Sequence, residues 1–257
     1  MNIFVIGDVV GSIGCNALRS KLPSYRKLKA IDFVIANGEN SADGNGILPT
    51  SANHLFDSGV DVITTGNHVY RRKEIYDMLD TNDYIIRPAN FPPSANGKGV
   101  CVIDTCKVRI CVINIMGTAY MEALRCPFET MDEILKQYDD CRIKIVDFHA
   151  EATAEKRAMG FYLDGKVSAV YGTHTHVLTA DATVLPNGTG YVTDIGMTGP
   201  VNSVLGVKPE LAINKFRTKM PVRFENADGQ CKINGAIFDI DEKTGKTRSA
   251  ETVEILL

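Results

Sequence analysis

The feature that most constrains this chain is a repeat in its first 65 residues: an apolar run, a polar loop, then a helical stretch. Ile3-Phe4-Val5-Ile6, Phe33-Val34-Ile35-Ala36 and Val60-Asp61-Val62-Ile63-Thr64-Thr65 are the apolar runs. Each is short and bounded by Gly, Asn or Asp, the pattern of a strand buried on both faces. The segments between read as helices, from about Ser12 to Lys29 with a bend expected at Pro23, and from about Thr50 to Ser58.

Farther along the pattern shifts. A helix is expected over Lys73 to Leu79, and Tyr84-Ile85-Ile86 reads as a short strand ahead of Arg87-Pro88-Ala89-Asn90-Phe91-Pro92-Pro93. Val100 to Asp104 and Val108 to Asn114 read as a hairpin closed by Thr105-Cys106-Lys107. Helices follow over Glu129 to Gln137 and Ala152 to Leu163, with a strand over Ile143 to Phe148 between them. Another strand leads into Tyr171-Gly172-Thr173-His174-Thr175-His176, then a hairpin turns at Pro186-Asn187-Gly188, and a short helix spans Pro209 to Arg217. The remainder reads as β-rich, with Val222-Arg223-Phe224 and Cys231-Lys232-Ile233 flanking a turn and Ile237 to Ile240 preceding Glu242-Lys243-Thr244-Gly245. The hairpins of the second half need an apolar surface, and a second sheet face to face with the first supplies one. The expectation is α/β: two packed mixed sheets flanked by helices, in one domain over residues 1–257.

With 44% hydrophobic residues the chain has ample material for a core, and a net charge of −3 argues against a nucleic-acid track or a membrane surface. No apolar run is long enough to span a bilayer and the first residues lack a basic signal-peptide start, so a cytoplasmic location is expected. The seven cysteines include no Cys-x-x-Cys pair, and Cys101, Cys106 and Cys111, in apolar, strand-like surroundings, are expected to be reduced thiols packed as small hydrophobes.

The chemistry collects at the strand ends. Asp8, Glu39-Asn40, Asn67-His68, His149 and His174/His176 all lie within about two residues of one, and α/β proteins form their sites beyond the carboxyl ends of strands. Four of the five histidines are among them; His54, on a helix, is read as structural. An extended backbone at His174-Thr175-His176 would aim both rings at one place. Carboxylates, carboxamides and imidazoles without thiolate suit iron, manganese, zinc or cobalt, and the number of donors suits two ions sharing a carboxylate.

Gly7-Asp8, Gly66-Asn67-His68, His149 and Gly172-Thr173-His174-Thr175-His176 follow, in order, the motif series of calcineurin-like metallophosphoesterases. Asn37-Gly38-Glu39-Asn40, Arg87-Pro88-Ala89-Asn90-Phe91-Pro92 and Asp194-Ile195-Gly196-Met197-Thr198-Gly199 narrow the resemblance to the YmdB subfamily. Two departures from the broad superfamily belong to that subfamily: the histidine of an Asp-x-His motif is missing after Asp8, and Glu39 replaces the bridging aspartate. The resemblance implies two transition-metal ions, iron first with manganese or zinc as alternatives. Asp8, Glu39, Asn40 and His176 would hold one, and Glu39, Asn67, His149 and His174 the other. It further implies hydrolysis of 2′,3′- or 3′,5′-cyclic nucleotides by a hydroxide held between the ions. His68, facing away from Asn67 in an extended turn, is the expected proton donor. Rival expectations are a phosphomonoesterase, a nuclease, or a regulatory nucleotide-binding protein with little turnover. Arg87, Asn90 and Phe91 are candidates to line the entrance. The expected partner is a small phosphoester, with no stable nucleic-acid or membrane association; homo-oligomerisation is left open.

Overall fold

The computed structural model describes residues 1–43, 45–105 and 107–257. Gly44 and Cys106, at the glycine-rich loop and the expected hairpin tip, lie outside the described residues. Element order is β1 (Asn2–Ile6), β2 (Asp8–Val9), α1 (Gly11–Leu28), β3 (Phe33–Asn37), α2 (Pro49–Asp57), β4 (Val62–Thr64), α3 (Tyr76–Thr81), β5 (Val100–Asp104), β6 (Arg109–Met116) and α4 (Pro127–Gln137). There follow β7 (Ile143–His149), α5 (Thr153–Leu163), β8 (Ala169–Thr173), β9 (Thr183–Val184), β10 (Gly190–Val192), β11 (Met197–Pro200), α6 (Pro209–Thr218), β12 (Cys231–Ile240) and β13 (Thr247–Leu256).

The strands form two mixed sheets. One runs β2-β11-β12-β1-β3-β4 with β13 also paired to β12; the other runs β5-β6-β7-β8-β10-β9. The β1-β3-β4 and β6-β7-β8-β10 stretches are parallel. Alternation along single strands builds the layers. In β1, Ile3 and Val5 join a core that also holds Ile110, Val112, Ile145 and Tyr171 of the other sheet, while Phe4 and Ile6 pack with Leu18 and Leu22 of α1. In β6 and β7, Cys111, Ile113, Val146 and Phe148 turn outward to Met131 of α4 and Met159 of α5. Helices, sheet, sheet and helices therefore stack as expected.

Three readings of local structure are corrected. Val222-Arg223-Phe224 is not a strand; β12 pairs instead with β1, β11 and β13, and Asn226 touches Val207 through an isolated bridge. Tyr84-Ile85-Ile86 is reduced to single bridges, Ile63 to Ile85 and Ile86 to Lys98, since Pro88 and Pro92-Pro93 leave the chain little room to continue a ladder. The helix begun at Lys73 opens as a 3₁₀ turn, Lys73–Ile75, before α3. The cysteines among the described residues are unpaired, and burial pushes the thiols of Cys15, Cys101 and Cys111 up to about 12, which makes them inert packing groups. No helix of the described residues is long and apolar enough to cross a membrane.

Candidate metal centre

Parallel strands place their carboxyl ends at one edge of a sheet, and both sheets bring those edges together here. β1 delivers Asp8, β3 delivers Glu39 and Asn40, and the turn after β4 delivers Asn67 and His68. From the second sheet β7 ends on His149, and the loop after β8 carries His174 and His176. Long-range contacts link all eight. His149 Nε2 lies 2.9 Å from Asn67 Oδ1, 3.2 Å from Glu39 Oε1 and 3.1 Å from His174 Nδ1. On the same carboxylate oxygen, Asn40 Nδ2 reaches Glu39 Oε1 and also His176 Nε2, both at 3.3 Å, and His176 Nε2 stands 3.6 Å from Asp8 Oδ1. His68 donates its amide to Glu39 Oε2 at 2.9 Å, and its Nδ1 lies 2.8 Å from Asn40 Oδ1.

Two expectations about backbone are corrected. Neither His174 nor His176 is extended: β8 stops at Thr173, and the two residues have φ of +96° and +63°. Their rings converge from a tight bend, a conformation a histidine adopts only where its surroundings hold it. His68 likewise leaves Asn67 through a turn, with Val69 N donating to Gly66 O and Arg71 N to His68 O, and its ring lies against Asn40 and Glu39 instead of facing away from the cluster. Gly66 is required by packing, since a Cβ there would stand 2.3 Å from the His149 ring. The proposed entrance residues are fixed elsewhere: Arg87 and Asn90 are buried and bonded to backbone carbonyls, and Phe91 stacks edge-on against Tyr70. His54 stays on α2, apart from the cluster.

Burial disfavours the His149 imidazolium, yet Glu39 and Asp8 outweigh it and raise its pKa to about 9. Burial raises the Asp8 carboxyl, but His176 and His149 more than reverse this and hold it below the usual carboxylate range. His174 is lowered to about 4 by burial and by its neighbour His149, and His68 is lowered mainly by burial. The fit to a metal rests on two observations. Donor atoms of Glu39, His149 and His174 all lie within 4.8 Å of one another. Asp8 Oδ1 is fully buried with no hydrogen-bond donor, a costly arrangement for an anion unless a cation meets it. The residues fit.

Sequence reasoning missed the groups behind the donors. Thr173 Oγ1 donates to Asp147 Oδ1 at 2.6 Å and so accepts from His149 Nδ1 at 2.9 Å, which leaves the Nε2 lone pair of neutral His149 facing Glu39. Glu151 Oε2 stands 3.1 Å from His174 Nε2. Lys156 and Asp194, both buried, pair at 2.6 Å beneath the His174–His176 bend. Asp194 and Thr173 stood in quoted motifs but were not singled out; a lysine in a helix carries no signal of its own.

The family model described as YmdB-like protein matches residues 4–253. The 2′,3′-cyclic-nucleotide 2′-phosphodiesterase of Bacillus subtilis (strain 168) is 43% identical over 256 residues, spanning 99% of this chain and 97% of that protein. A hypothetical protein from Thermus thermophilus superimposes with a TM-score of 0.94 at 38% identity, covering 100% of this chain and 99% of the other. The 5′-nucleotidase precursor from the same organism shares the fold alone, with a TM-score of 0.61 and 12% identity over 100% of this chain and 54% of that one. The matched span, the shared fold and the strand-end donors agree: the chain belongs to the YmdB-like protein family.

Proposed function

We propose that this chain is a two-metal phosphodiesterase that opens cyclic nucleotides, either the 2′,3′ kind in the name of its Bacillus subtilis relative or the 3′,5′ kind. The observation that carries the reading is the number of donors that converge on Glu39. Asp8, Asn40 and His176 are linked to one another, Asn67, His149 and His174 likewise, and Asn40 and His149 both reach Glu39 Oε1. That is more than one ion of four to six ligands takes while leaving room for substrate. Iron is the ion to which the resemblance points, and manganese or zinc would suit the same nitrogen and oxygen donors. Bound there, such cations would neutralise phosphate oxygens and activate water. Donors come from both sheets, so residues 1–257 would act as one domain.

The protein's own groups have definite tasks in this reading. Thr173 fixes the tautomer of His149, and Leu205 O accepts from His176 Nδ1 at 3.1 Å, which turns the His176 Nε2 lone pair toward Asp8. Asn40 points Nδ2 at the cluster and Oδ1 at His68. To serve as a ligand it would turn its amide over within the same volume. Nδ2 would then donate to His68 Nδ1, and the His68 proton would sit on Nε2. In that arrangement neutral His68 would offer Nε2–H as a hydrogen bond to the ribose oxygen as it leaves; with Asn40 Oδ1 accepting from Nδ1, as it stands here, the imidazolium would carry the Nε2 proton that it can give up.

Protein purified without chelator should be loaded in turn with iron, manganese, zinc and cobalt and given 2′,3′-cyclic AMP, 3′,5′-cyclic AMP and p-nitrophenyl phosphate. Ring-opened AMP is the expected product, and no turnover of either cyclic nucleotide with any metal would overturn the reading. His68→Ala should keep its metal and lose on the order of 10²–10⁴-fold in rate on cyclic nucleotides, with a smaller loss on aryl esters, whose leaving group needs no proton. Equal losses on both would remove His68 from the proton-donor role.

A further inference from the structure

Beside the metal centre lies a cavity of about 840 Å³, walled by the start of α1 (Ser12), the loop after β3 (Asp43), the turn after β4 (Arg71) and the segment Arg223-Phe224-Glu225-Asn226. It shares its inner wall with the site. Gly11 N donates to Asn40 O at 2.8 Å and Arg71 N to His68 O at 3.0 Å. At their junction Gly11 has φ of +59°, and a Cβ there would come within 2.2 Å of Asn226 Nδ2 and 2.9 Å of Asp43 Oδ1. Only glycine fits where the cavity wall packs this closely against the backbone that carries Asn40.

The walls are braced and their charges unequally engaged. Arg72 ties the rim together, donating to Asn45 O at 3.0 Å and Asp43 O at 2.7 Å, and Asp43 Oδ1 accepts from Ser12 N at 2.9 Å. Glu225 is drawn off by Lys208 at 2.8 Å. The guanidiniums of Arg71 and Arg223 have no comparable partner among the described residues, and Phe224, 44% exposed, lines the same cavity. Two available guanidiniums with an aromatic face are the equipment for a phosphate and a stacked base. The volume is that of a small-ligand pocket and the net charge of the chain is −3, so it suits one added nucleotide, not a long strand.

We infer that this cavity receives the nucleotide attached 5′ to the reacting ribose, so that the preferred substrate is a short oligoribonucleotide ending in a 2′,3′-cyclic phosphate. The inference rests on the phosphodiesterase reading and deepens it. A 2′,3′-cyclic ester leaves the 5′ oxygen free to carry that extension, whereas a 3′,5′-cyclic ester consumes it. The test compares adenosine 2′,3′-cyclic phosphate with adenylyl-(3′→5′)-adenosine 2′,3′-cyclic phosphate, by kcat/KM on metal-loaded protein and by calorimetric titration of metal-free protein. The dinucleotide should be favoured at least about tenfold in both measurements. Arg223→Glu and Phe224→Ala, at exposed positions, should cut that advantage toward parity while affecting the mononucleotide far less. Parity in the unaltered protein, or equal losses on both compounds, overturns the inference. Tighter dinucleotide binding to metal-free protein without turnover of either compound would support the pocket and reject the phosphodiesterase reading.

Discussion

Two buried aspartates stand behind the metal centre, and they are stabilised by different means. Asp194 meets a cation: its Oδ2 accepts from Lys156 Nζ at 2.6 Å, from Thr175 Oγ1 at 2.7 Å and from Thr175 N at 3.2 Å, while Oδ1 accepts from Gly196 N at 2.8 Å. Asp147 has only neutral donors, Thr173 Oγ1 at 2.6 Å, Thr64 Oγ1 at 2.5 Å and Asn37 Nδ2 at 3.4 Å, and burial pushes its carboxyl up to about 7. The difference follows what each supports. Asp194 grips the backbone of Thr175, midway in a bend where both histidines have positive φ, and a charged anchor resists the relaxation of that bend. Asp147 supports a tautomer through one hydroxyl, which needs direction more than strength.

Breaking the charged anchor should have the largest effect. Lys156→Met leaves a buried carboxylate without its counter-charge, costing about 3–5 kcal/mol, or on the order of 10 °C in Tm for a chain of this size. Removing both charges, Lys156→Met with Asp194→Leu, should restore much of that stability, because the uncompensated charge goes with them. It should not restore metal affinity or kcat, because nothing then holds Thr175. Melting temperature against metal content per chain makes the separation. If metal content recovers together with Tm, the pair serves stability alone and has no part in placing the histidines.

An intermediate effect is expected at the neutral anchor. Thr173→Val keeps the β-branched shape that β8 needs but deletes the hydroxyl between His149 and Asp147. Metal affinity should fall about 10–100-fold as His149 loses its fixed tautomer, with a stability loss of about 1–3 kcal/mol for the donor taken from Asp147. A competition titration with a metal chelator measures the first and denaturant unfolding the second. Unchanged affinity would mean that Asn67 and Glu39 orient His149 without help.

The same contrast separates what was legible in the sequence from what was not. Donors at strand ends could be read because apolar runs of four to six residues announce where each strand stops, and because histidines are few enough that four in such places stand out. The layering followed from hairpins that needed a second apolar face. The His174–His176 bend could not be read, since alternation assumes that β8 continues and the register of its neighbours decides that it does not. Lys156 lies in a helix where solvent is the ordinary place for lysine, and its burial depends on Asp194, 38 residues away. Residues 222–224 have a strand-like composition, but β12 has its edges filled by β1, β11 and β13. Tertiary competition decided these cases, and composition carries no record of it.

The smallest effect is expected from Asp147→Asn, and setting it beside Asp194→Asn gives the sharpest test of the comparison. In Asp147→Asn the remaining oxygen accepts from Thr173, and the new amide can donate to Thr64, whose hydroxyl turns to accept. No buried cation loses its partner. Stability should change by about 1 kcal/mol or less, some 2–4 °C. In Asp194→Asn the same chemical change leaves the Lys156 ammonium buried and unneutralised, so the fall should approach that of Lys156→Met. Thermal unfolding of the two variants side by side decides the matter. Equal falls would mean that Asp147 also answers a fixed positive charge, with the His149 imidazolium, its pKa raised to about 9, as the group supplying it.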